Sequence, residues 1–158
     1  MAREIERKWV VDRPMIPWYA IDMFEEELEH QEQWYVDGIR YRHCEDYYGS
    51  HWYIKTIKTG FGLDREEIET DMEHDEFWKI VNNQNSKPVR KTRYKIPCED
   101  VTIEVDLMED FPCVYAEIEF NSVEEALAFD KIPYWFKEEV TNDTNHSMYA
   151  YFMRYNDE

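Results

Sequence analysis

Charged side chains of defined sign recur at alternate positions along several stretches of this chain. Glu4, Glu6 and Lys8 open the pattern in the segment 4–11. In a β-strand, side chains at alternate positions project from one face, so these two acids and one base would lie side by side. A single row of this kind is typical of a sheet face exposed to solvent. The row becomes informative because similar rows follow it.

The later rows are sorted by sign, and each occupies a segment with strand-like alternation. Basic rows fall in the segments 39–42, 51–58 and 89–96, and comprise Arg40, Arg42, Lys58, Lys91 and Arg93. Acidic rows fall in the segments 101–107 and 114–120, and comprise Glu104, Asp106, Glu117 and Glu119. A further row joins Arg65 to Glu67 and Glu69. Like charges repel when they face one another across neighbouring strands, so the arrangement requires a partner for each sign.

Two architectures satisfy these rows. One is a sheet whose charged face is wet; the other is a closed barrel whose lumen brings acids and bases together around a ligand, with apolar faces turned outward. Spacing and composition alone leave the two about level. In the second, clustered carboxylates without histidine or thiolate partners favour hard cations such as Mg²⁺ or Mn²⁺. Lysine and arginine in the same cavity favour phosphate, which indicates a metal-bound polyphosphate.

Length and composition predict one globular domain that is large enough to bury a hydrophobic core. The chain has 158 residues, 43% hydrophobic and 16% aromatic, with only four glycines and six prolines. A formal net charge of -18 argues against nucleic-acid partners and anionic membranes, which attract basic surfaces. A polyanionic substrate therefore requires bases concentrated locally or bound cations that hold it.

The cysteines and the start of the chain bear on location. Cys44, Cys98 and Cys113 are odd in number and widely spaced, which predicts reduced thiols and a cytoplasmic protein. The first residues carry charge and lack the apolar run of a signal peptide, and no segment approaches membrane-spanning length. The five histidines show no ligand spacing and are expected to fill ordinary polar roles.

Alternation and turn signals predict at least seven strands with helices between or beside them. Asp37-Gly38 between two extended segments predicts a tight hairpin. Ser122 and Glu125 form a capping box ahead of a short helix at 126–129. Other helices are predicted at 74–81 and 144–155, the latter in a packing role, and the segment 15–28 is helical but interrupted near Pro17.

The ordered motifs resemble those of the CYTH, or triphosphate tunnel metalloenzyme, superfamily. The segment Glu4-Ile-Glu-Arg-Lys8 matches its E-x-E-x-K motif, and the likeness continues in order along nearly the whole chain. The matching motifs are Gln33-Trp34-Tyr35, Arg40-x-Arg42, Thr56-Ile57-Lys58, Arg65-x-Glu67-x-Glu69, Lys91-Thr92-Arg93-Tyr94, Glu104-x-Asp106, Glu117-x-Glu119 and Glu139-Val140-Thr141.

The resemblance implies an α+β fold, an eight-stranded antiparallel β-barrel that forms a tunnel with a charged lumen and flanking helices, within one domain spanning residues 1–158. It implies divalent-metal-dependent hydrolysis of inorganic triphosphate, thiamine triphosphate or nucleoside triphosphates, with Mg²⁺ or Mn²⁺ as cofactor. The substrate would be held by Lys8, Arg40, Arg42, Lys58, Lys91, Arg93 and Lys137. Metal would be held by Glu4, Glu6, Glu67, Glu69, Glu104, Asp106, Glu117 and Glu119. Direct catalytic roles fall to Lys8, Arg42, Lys91 and Glu119.

Other functions stay open. An adenylyl cyclase of the same superfamily would use a similar triphosphate clamp and would add a base pocket. A non-catalytic acidic binding or decoy protein would place its acids outside and ignore metals. The chain also departs from the family at residues 143–148, which read Asp-Thr-Asn-His-Ser-Met and leave the closure of one tunnel end open. The expected partner is a small-molecule triphosphate, without nucleic acid or membrane, for a monomer or homodimer.

Overall fold

The computed structural model describes residues 2–157. Eight strands close into an antiparallel barrel, as expected: β1 (Ala2–Val11), β2 (Glu29–Val36), β3 (Ile39–Asp46), β4 (His51–Thr59), β5 (Asp64–Asp71), β6 (Val89–Cys98), β7 (Val101–Met108) and β8 (Val114–Glu119). Around the barrel the order is β1-β5-β4-β3-β2-β6-β7-β8, and β8 pairs back onto β1.

The first strand closes the barrel by pairing with three others. Along one edge it pairs with β8, where Glu6 lies opposite Glu119 and Lys8 opposite Glu117. Along the other edge its first half pairs with β5 and its second half with a ninth short strand, β9 (Phe136–Glu139). The sequence did not predict β9, because four residues reading Phe-Lys-Glu-Glu carry no clear alternation.

The first hairpin has the predicted turn. Asp37 and Gly38 join β2 to β3, and both have positive φ, 53° and 78°. Two successive positive φ values match a two-residue turn whose twist suits antiparallel strands, which is why Asp-Gly is favoured there.

Four α-helices flank the barrel: α1 (Trp18–Met23), α2 (His74–Asn82), α3 (Val123–Ala128) and α4 (Met148–Tyr155). Pro17 precedes α1, and short 3-10 turns on either side explain the interrupted helical pattern there. The hydroxyl of Ser122 accepts from the backbone N–H of Glu125 and so caps α3 as predicted. Within residues 2–157, no helix is both long and apolar enough to cross a bilayer.

The hydrophobic core lies outside the barrel wall, between the strands and the helices. Trp9 on β1 packs against Phe136, with ring centroids 4.9 Å apart. On the opposite side Trp34 of β2 packs edge-on against Phe77 of α2. Because side chains alternate along a strand, burying these apolar faces outside leaves the charged faces for the lumen. The structure is therefore the closed barrel with a charged lumen and not the sheet with a solvent-exposed charged face.

Candidate active site

A cavity of about 980 Å³ occupies the lumen, and all eight barrel strands contribute side chains to it. Every predicted site residue lines this cavity except Asp106 and Lys137. Lys137 lies exposed on β9. The alternation that placed the apolar residues outside thus assembles nearly the whole predicted set inside.

One wall of the cavity carries positive charge without matching acids. Arg40 and Arg42 project from alternate positions of β3, and each residue is only 8% exposed. Arg42 donates from Nε and Nη2 to Oε1 of Gln33, both at 3.2 Å, and Arg40 donates from Nη2 to Oγ1 of Thr56 at 3.0 Å. Within residues 2–157, no carboxylate lies within salt-bridge distance of either guanidinium, and the buried Nε of Arg40 has no hydrogen-bond partner.

The pKa of Arg42 is lowered in this environment. Burial, followed by the charges of Arg40 and Arg93, lowers the pKa of Arg42 to about 10. Buried cations are costly unless an anion compensates them. This wall of the lumen therefore suits an anion held by several guanidinium donors at once.

The opposing wall carries an excess of acids from β1 and β8. Glu6 and Glu119 are register partners, and Glu117 lies opposite Lys8 on the same strand pair. Burial, then the charges of Glu117 and Glu4, raises the pKa of Glu6 well above its ordinary value. Burial and the charge of Glu4 also raise the pKa of Glu119. At Glu6, burial and the neighbouring acids therefore outweigh the opposing charges of Lys58 and Arg65.

Another acid of the lumen, Glu67 on β5, interacts with Glu4 on β1. Burial, followed by the hydrogen bond and charge of Glu4, raises the pKa of Glu67 to about 8. Burial opposes ionisation of Glu4 as well, but the hydrogen bond from Glu67 and the charge of Lys58 hold the pKa of Glu4 below its ordinary range. Lys58 Nζ lies 3.2 Å from Glu4 and 3.9 Å from Glu67. The acids on β1 and β5 thus form one coupled group.

Two bases on β6 are fixed by one acid beneath the cavity wall. Asp106 on β7 is fully buried; its Oδ2 accepts from Lys91 Nζ at 2.9 Å, and both of its oxygens accept from Arg93. Arg93 reaches farther, to Glu104 at 3.2 Å and to Glu117 at 3.6 Å. Burial lowers the pKa of Lys91 to about 8, partly opposed by the charge of Asp106. Asp106 therefore orients Lys91 and Arg93. Both of these bases also line the lumen.

Sequence reasoning missed Arg65 as a site residue. It lies on β5 opposite Glu4, and its Nη2 donates to Oε1 of Glu4 at 2.9 Å and to Oε1 of Glu6 at 3.1 Å. The signal was present, because Arg65 shares a strand face with Glu67 and Glu69. The contact with β1 depends on barrel closure over 61 positions of sequence, which has no local signal.

The C-terminal segment does more than pack, because it also lines the cavity. Lys8 donates from Nζ to the backbone oxygen of His146 at 2.6 Å, and Nδ1 of His146 is 2.7 Å from the hydroxyl of Tyr115. Tyr149, Met153 and other residues of α4 also line the lumen. The departure from the family motif at 143–148 is therefore compatible with a segment that covers one side of the cavity.

The acids of the lumen are the type of ligand that a divalent cation prefers, but in the described part of the chain their side chains are not arranged around a common point. Carboxylate oxygens are the ligands that Mg²⁺ and Mn²⁺ prefer, and burial followed by neighbouring acids raises the pKa of Glu6 and of Glu119. Within residues 2–157, no three acidic, histidine or cysteine side chains are arranged to hold a metal ion. Arg65 and Lys58 occupy oxygens that a cation would use.

The chain is similar to proteins described as inorganic triphosphatases. An inorganic triphosphatase from Nitrosomonas europaea is 35% identical over 98 residues, which make up 60% of this chain and 64% of that protein. The match thus spans just under two thirds of the relative's length. A crystal structure of an inorganic triphosphatase superposes with a TM-score of 0.59 and 28% identity, covering 97% of this chain and 96% of the other.

More distant likenesses concern the fold alone. A protein from Pyrococcus horikoshii OT3 is 18% identical, with a TM-score of 0.50 over 77% of this chain and 82% of the other. An adenylate cyclase candidate from Bacillus halodurans is 16% identical, with a TM-score of 0.52 over 80% of this chain and 86% of the other. No family model matches the sequence. In its closed tunnel and along most of its length, the chain is therefore similar to inorganic triphosphatases.

Proposed function

We propose that this protein is a divalent-metal-dependent triphosphatase that hydrolyses the terminal phosphoanhydride of a small triphosphate, with inorganic triphosphate as the leading candidate. The relatives described as inorganic triphosphatases support the reaction class. The substrate is a proposal for this chain, as are the Mg²⁺ or Mn²⁺ cofactor and the role of each residue.

The observation that carries the proposal is the pair of buried guanidiniums on β3. Arg40 and Arg42 face the lumen, are nine-tenths buried and have no carboxylate partner within residues 2–157. Phosphate oxygens match arginine forks and supply the missing negative charge. Lys8 adds a further cation on the adjoining wall, because its ammonium donates only to a backbone oxygen in the hydrogen bonds of the described residues.

The polarity of the lumen supports a substrate that carries a metal. A triphosphate alone would meet repulsion from Glu6, Glu117 and Glu119 on the acidic wall. A divalent cation held by Glu4, Glu6, Glu117 and Glu119, with Glu67, Glu69 and Glu104 nearby, would link this wall to the phosphate chain. When bound, such a cation supplies charge neutralisation and lowers the pKa of an attacking water.

The chain's own residues then position the reactants. In the reaction, a water oxygen attacks the terminal phosphorus, the bond from that phosphorus to the bridging oxygen breaks, and the shortened phosphate chain leaves with the bridging oxygen. Arg42 and Lys91 stabilise the charge that develops on the phosphate oxygens, and Lys8 holds the chain from β1. Glu119, at the exposed end of the acidic wall, has a raised pKa and accepts the proton from water.

Asp106 has a positioning role in this proposal. Its carboxylate is saturated by Lys91 and Arg93, so it acts through these two bases rather than on the substrate or the cation. Lys137 lies outside the cavity, so we assign it no contact with the bound triphosphate.

Phosphate release with tripolyphosphate, thiamine triphosphate and ATP, each with Mg²⁺, Mn²⁺ or EDTA, tests the function. We expect tripolyphosphate to release phosphate with either cation and EDTA to abolish release. With ATP, pyrophosphate together with a cyclic nucleotide would instead establish a cyclase. Metal-dependent binding of tripolyphosphate without turnover would establish a retention protein and overturn the proposal.

The decoy hypothesis fits the structure poorly. It requires the motif acids on the outer surface, whereas Glu4, Glu6, Glu104 and Glu117 face an internal cavity lined by bases. A protein that mimics phosphate has no use for two internal arginines poised for an anion.

A further inference from the structure

Arg65 occupies the place where a cation would meet the acids of the first strand. A single nitrogen, Nη2, lies 2.9 Å from Oε1 of Glu4 and 3.1 Å from Oε1 of Glu6. The side chain is 20% exposed and lines the cavity. One positively charged group therefore bridges two carboxylates that project from alternate positions of β1.

A bridging guanidinium and a divalent cation compete for the same oxygens. Mg²⁺ takes near-octahedral oxygen ligands at about 2.0–2.1 Å, and a guanidinium that already neutralises Glu4 and Glu6 reduces the negative charge available to it. The two positive charges would also repel at short range inside a poorly solvated cavity. Within residues 2–157, no three acids are arranged to hold a metal ion, and Arg65 contacts two of the candidate ligands.

Arg65 also has a hydrogen-bond donor, Nε, that is not used in the described residues. Its Nε is buried and has no hydrogen-bond partner within the described residues, and the same is true of Nε of Arg40 on β3. Unsatisfied buried donors are uncommon in native proteins. Once released from the carboxylates, the Arg65 guanidinium has free N–H groups for an anion that arrives in the lumen.

Building on the proposed function, we infer that Arg65 is a resident counter-ion that holds Glu4 and Glu6 in the empty tunnel and must be displaced before a divalent cation binds there. The phosphate chain assists by giving Arg65 an alternative acceptor. Coupling of this kind is reciprocal, so substrate strengthens cation binding and the cation strengthens substrate binding to the same extent. Arg65 thereby keeps the cation site weak until a phosphate chain is present.

Titration of Mn²⁺ into substrate-free protein, followed by calorimetry, tests this inference without any turnover. We expect Arg65→Ala and Arg65→Gln to bind Mn²⁺ about tenfold more tightly than the wild type, a difference of about 1.4 kcal/mol. Arg3→Ala is the matched control, because Arg3 pairs with Asp64 and Glu66 across the same two strands but with its side chain 58% exposed. It removes the same charge, and we expect less than about a twofold change because solvent screens it. Equal or weaker Mn²⁺ affinity in both Arg65 variants would overturn the inference.

A second measurement on the wild type covers the case in which the Arg65 variants fail to fold. In crystals soaked with Mn²⁺ and a non-hydrolysable triphosphate analogue, we expect Arg65 to have left Glu4 and Glu6 and to contact a phosphate oxygen. Mn²⁺ bound in the tunnel while Arg65 keeps both carboxylate contacts would refute the displacement. Failure of the proposed function gives a different result, namely no metal-dependent phosphate release by the wild type, whatever Arg65 does.

Discussion

Asp106 holds Arg93 through a two-point contact, in which Oδ1 accepts from Nε at 2.8 Å and Oδ2 accepts from Nη2 at 2.9 Å. The two residues are register partners on β7 and β6, and the Asp106 side chain is 1% exposed. Burial disfavours the charged carboxylate, but Arg93 and Lys91 together hold the pKa of Asp106 well below its ordinary range. One acid that lies outside the cavity lining thus fixes two of the bases that the proposed mechanism uses.

Asp106→Asn should destabilise the fold strongly. The amide keeps the shape of the side chain but leaves Lys91 and Arg93 buried with less negative charge. We expect the free energy of unfolding to fall by about 3–5 kcal/mol, as when one partner of a buried ion pair is removed. Urea denaturation followed by tryptophan fluorescence measures the change.

The control for this variant is Asp64→Asn, which removes an acid whose partner, Arg3, lies at the surface. Exposed ion pairs contribute little, so we expect a midpoint close to that of the wild type. If both variants unfolded at the same urea concentration, Asp106 would have no special part in holding the barrel together.

The coupled acids on β5 and β1 should make the metal-free protein less stable as pH rises. Burial and then Glu4 raise the pKa of Glu67 to about 8, so the folded form keeps a proton that an unfolded carboxyl releases near pH 4.3, roughly its reference value. A raised folded-state pKa gives stability that is complete below the unfolded value and is lost as pH rises through the folded one. We therefore expect Glu67→Gln to flatten the fall in unfolding free energy between about pH 5 and pH 8.

Thermal or urea unfolding in EDTA at several pH values measures this slope. Glu66→Gln is the matched control, because its carboxylate lies on the next position of β5 and pairs with Arg3 outside the tunnel. A Glu67→Gln slope as steep as that of Glu66→Gln would show that Glu67 does not carry the effect.

The composition of the lumen could be predicted from sequence because strand periodicity is a local property. Glu4, Glu6 and Lys8 alternate with apolar or outward-facing residues, and alternation assigns them to one face without knowledge of the partner strand. Which face is internal does not follow from periodicity. It follows from the helices, whose packing on the apolar face of the barrel leaves only the charged face for the lumen.

How deeply each charged side chain is buried could not be predicted from the sequence. Glu104 and Asp106 occupy equivalent alternate positions on β7, yet Glu104 lines the cavity and Asp106 lies fully buried beneath it. The difference arises from register, which sets Asp106 opposite Arg93 and Glu104 opposite Lys95. Register is fixed by pairing across the whole barrel, so it has no signature within one strand. The bridge from Arg65 to Glu4 and Glu6 was hidden for the same reason.

The hydroxyl of Tyr115 should matter for the C-terminal segment. It bonds to Nδ1 of His146 and to the hydroxyl of Tyr151 on α4, and the Tyr115 side chain is fully buried. Tyr115→Phe removes both contacts, but Tyr151 keeps its bond to Cys113 and His146 is partly exposed, so we expect a loss of about 0.5–1.5 kcal/mol in unfolding free energy, the usual net worth of a hydrogen bond. Hydrogen exchange of the α4 amides should accelerate more than that of β3.

Tyr149→Phe is the matched control for that experiment, because Tyr149 lies on the same helix but is 47% exposed. We expect it to leave the exchange of α4 close to the wild-type rate. Uniform acceleration over the whole barrel in Tyr115→Phe would indicate general destabilisation rather than release of the segment that lines the cavity.

Arg42 should separate function from stability more sharply than any other residue of the lumen. Its guanidinium is buried with no carboxylate partner within residues 2–157, and its pKa is lowered to about 10 by burial and then by Arg40 and Arg93. Replacing it by methionine keeps the aliphatic bulk while removing an uncompensated buried charge. We therefore expect the unfolding free energy of Arg42→Met to equal or exceed that of the wild type. We expect kcat/KM for tripolyphosphate to fall about 10²–10³-fold, or about 3–4 kcal/mol, as when a preorganised donor to a developing charge is removed.

The control is Arg90→Ala, which removes an arginine of β6 that pairs with Glu32 outside the cavity. It should change neither the unfolding free energy nor kcat/KM appreciably. Near-wild-type kcat/KM in Arg42→Met would remove Arg42 from the phosphate clamp, and a large loss of stability would mean that the guanidinium has a structural partner in the empty tunnel.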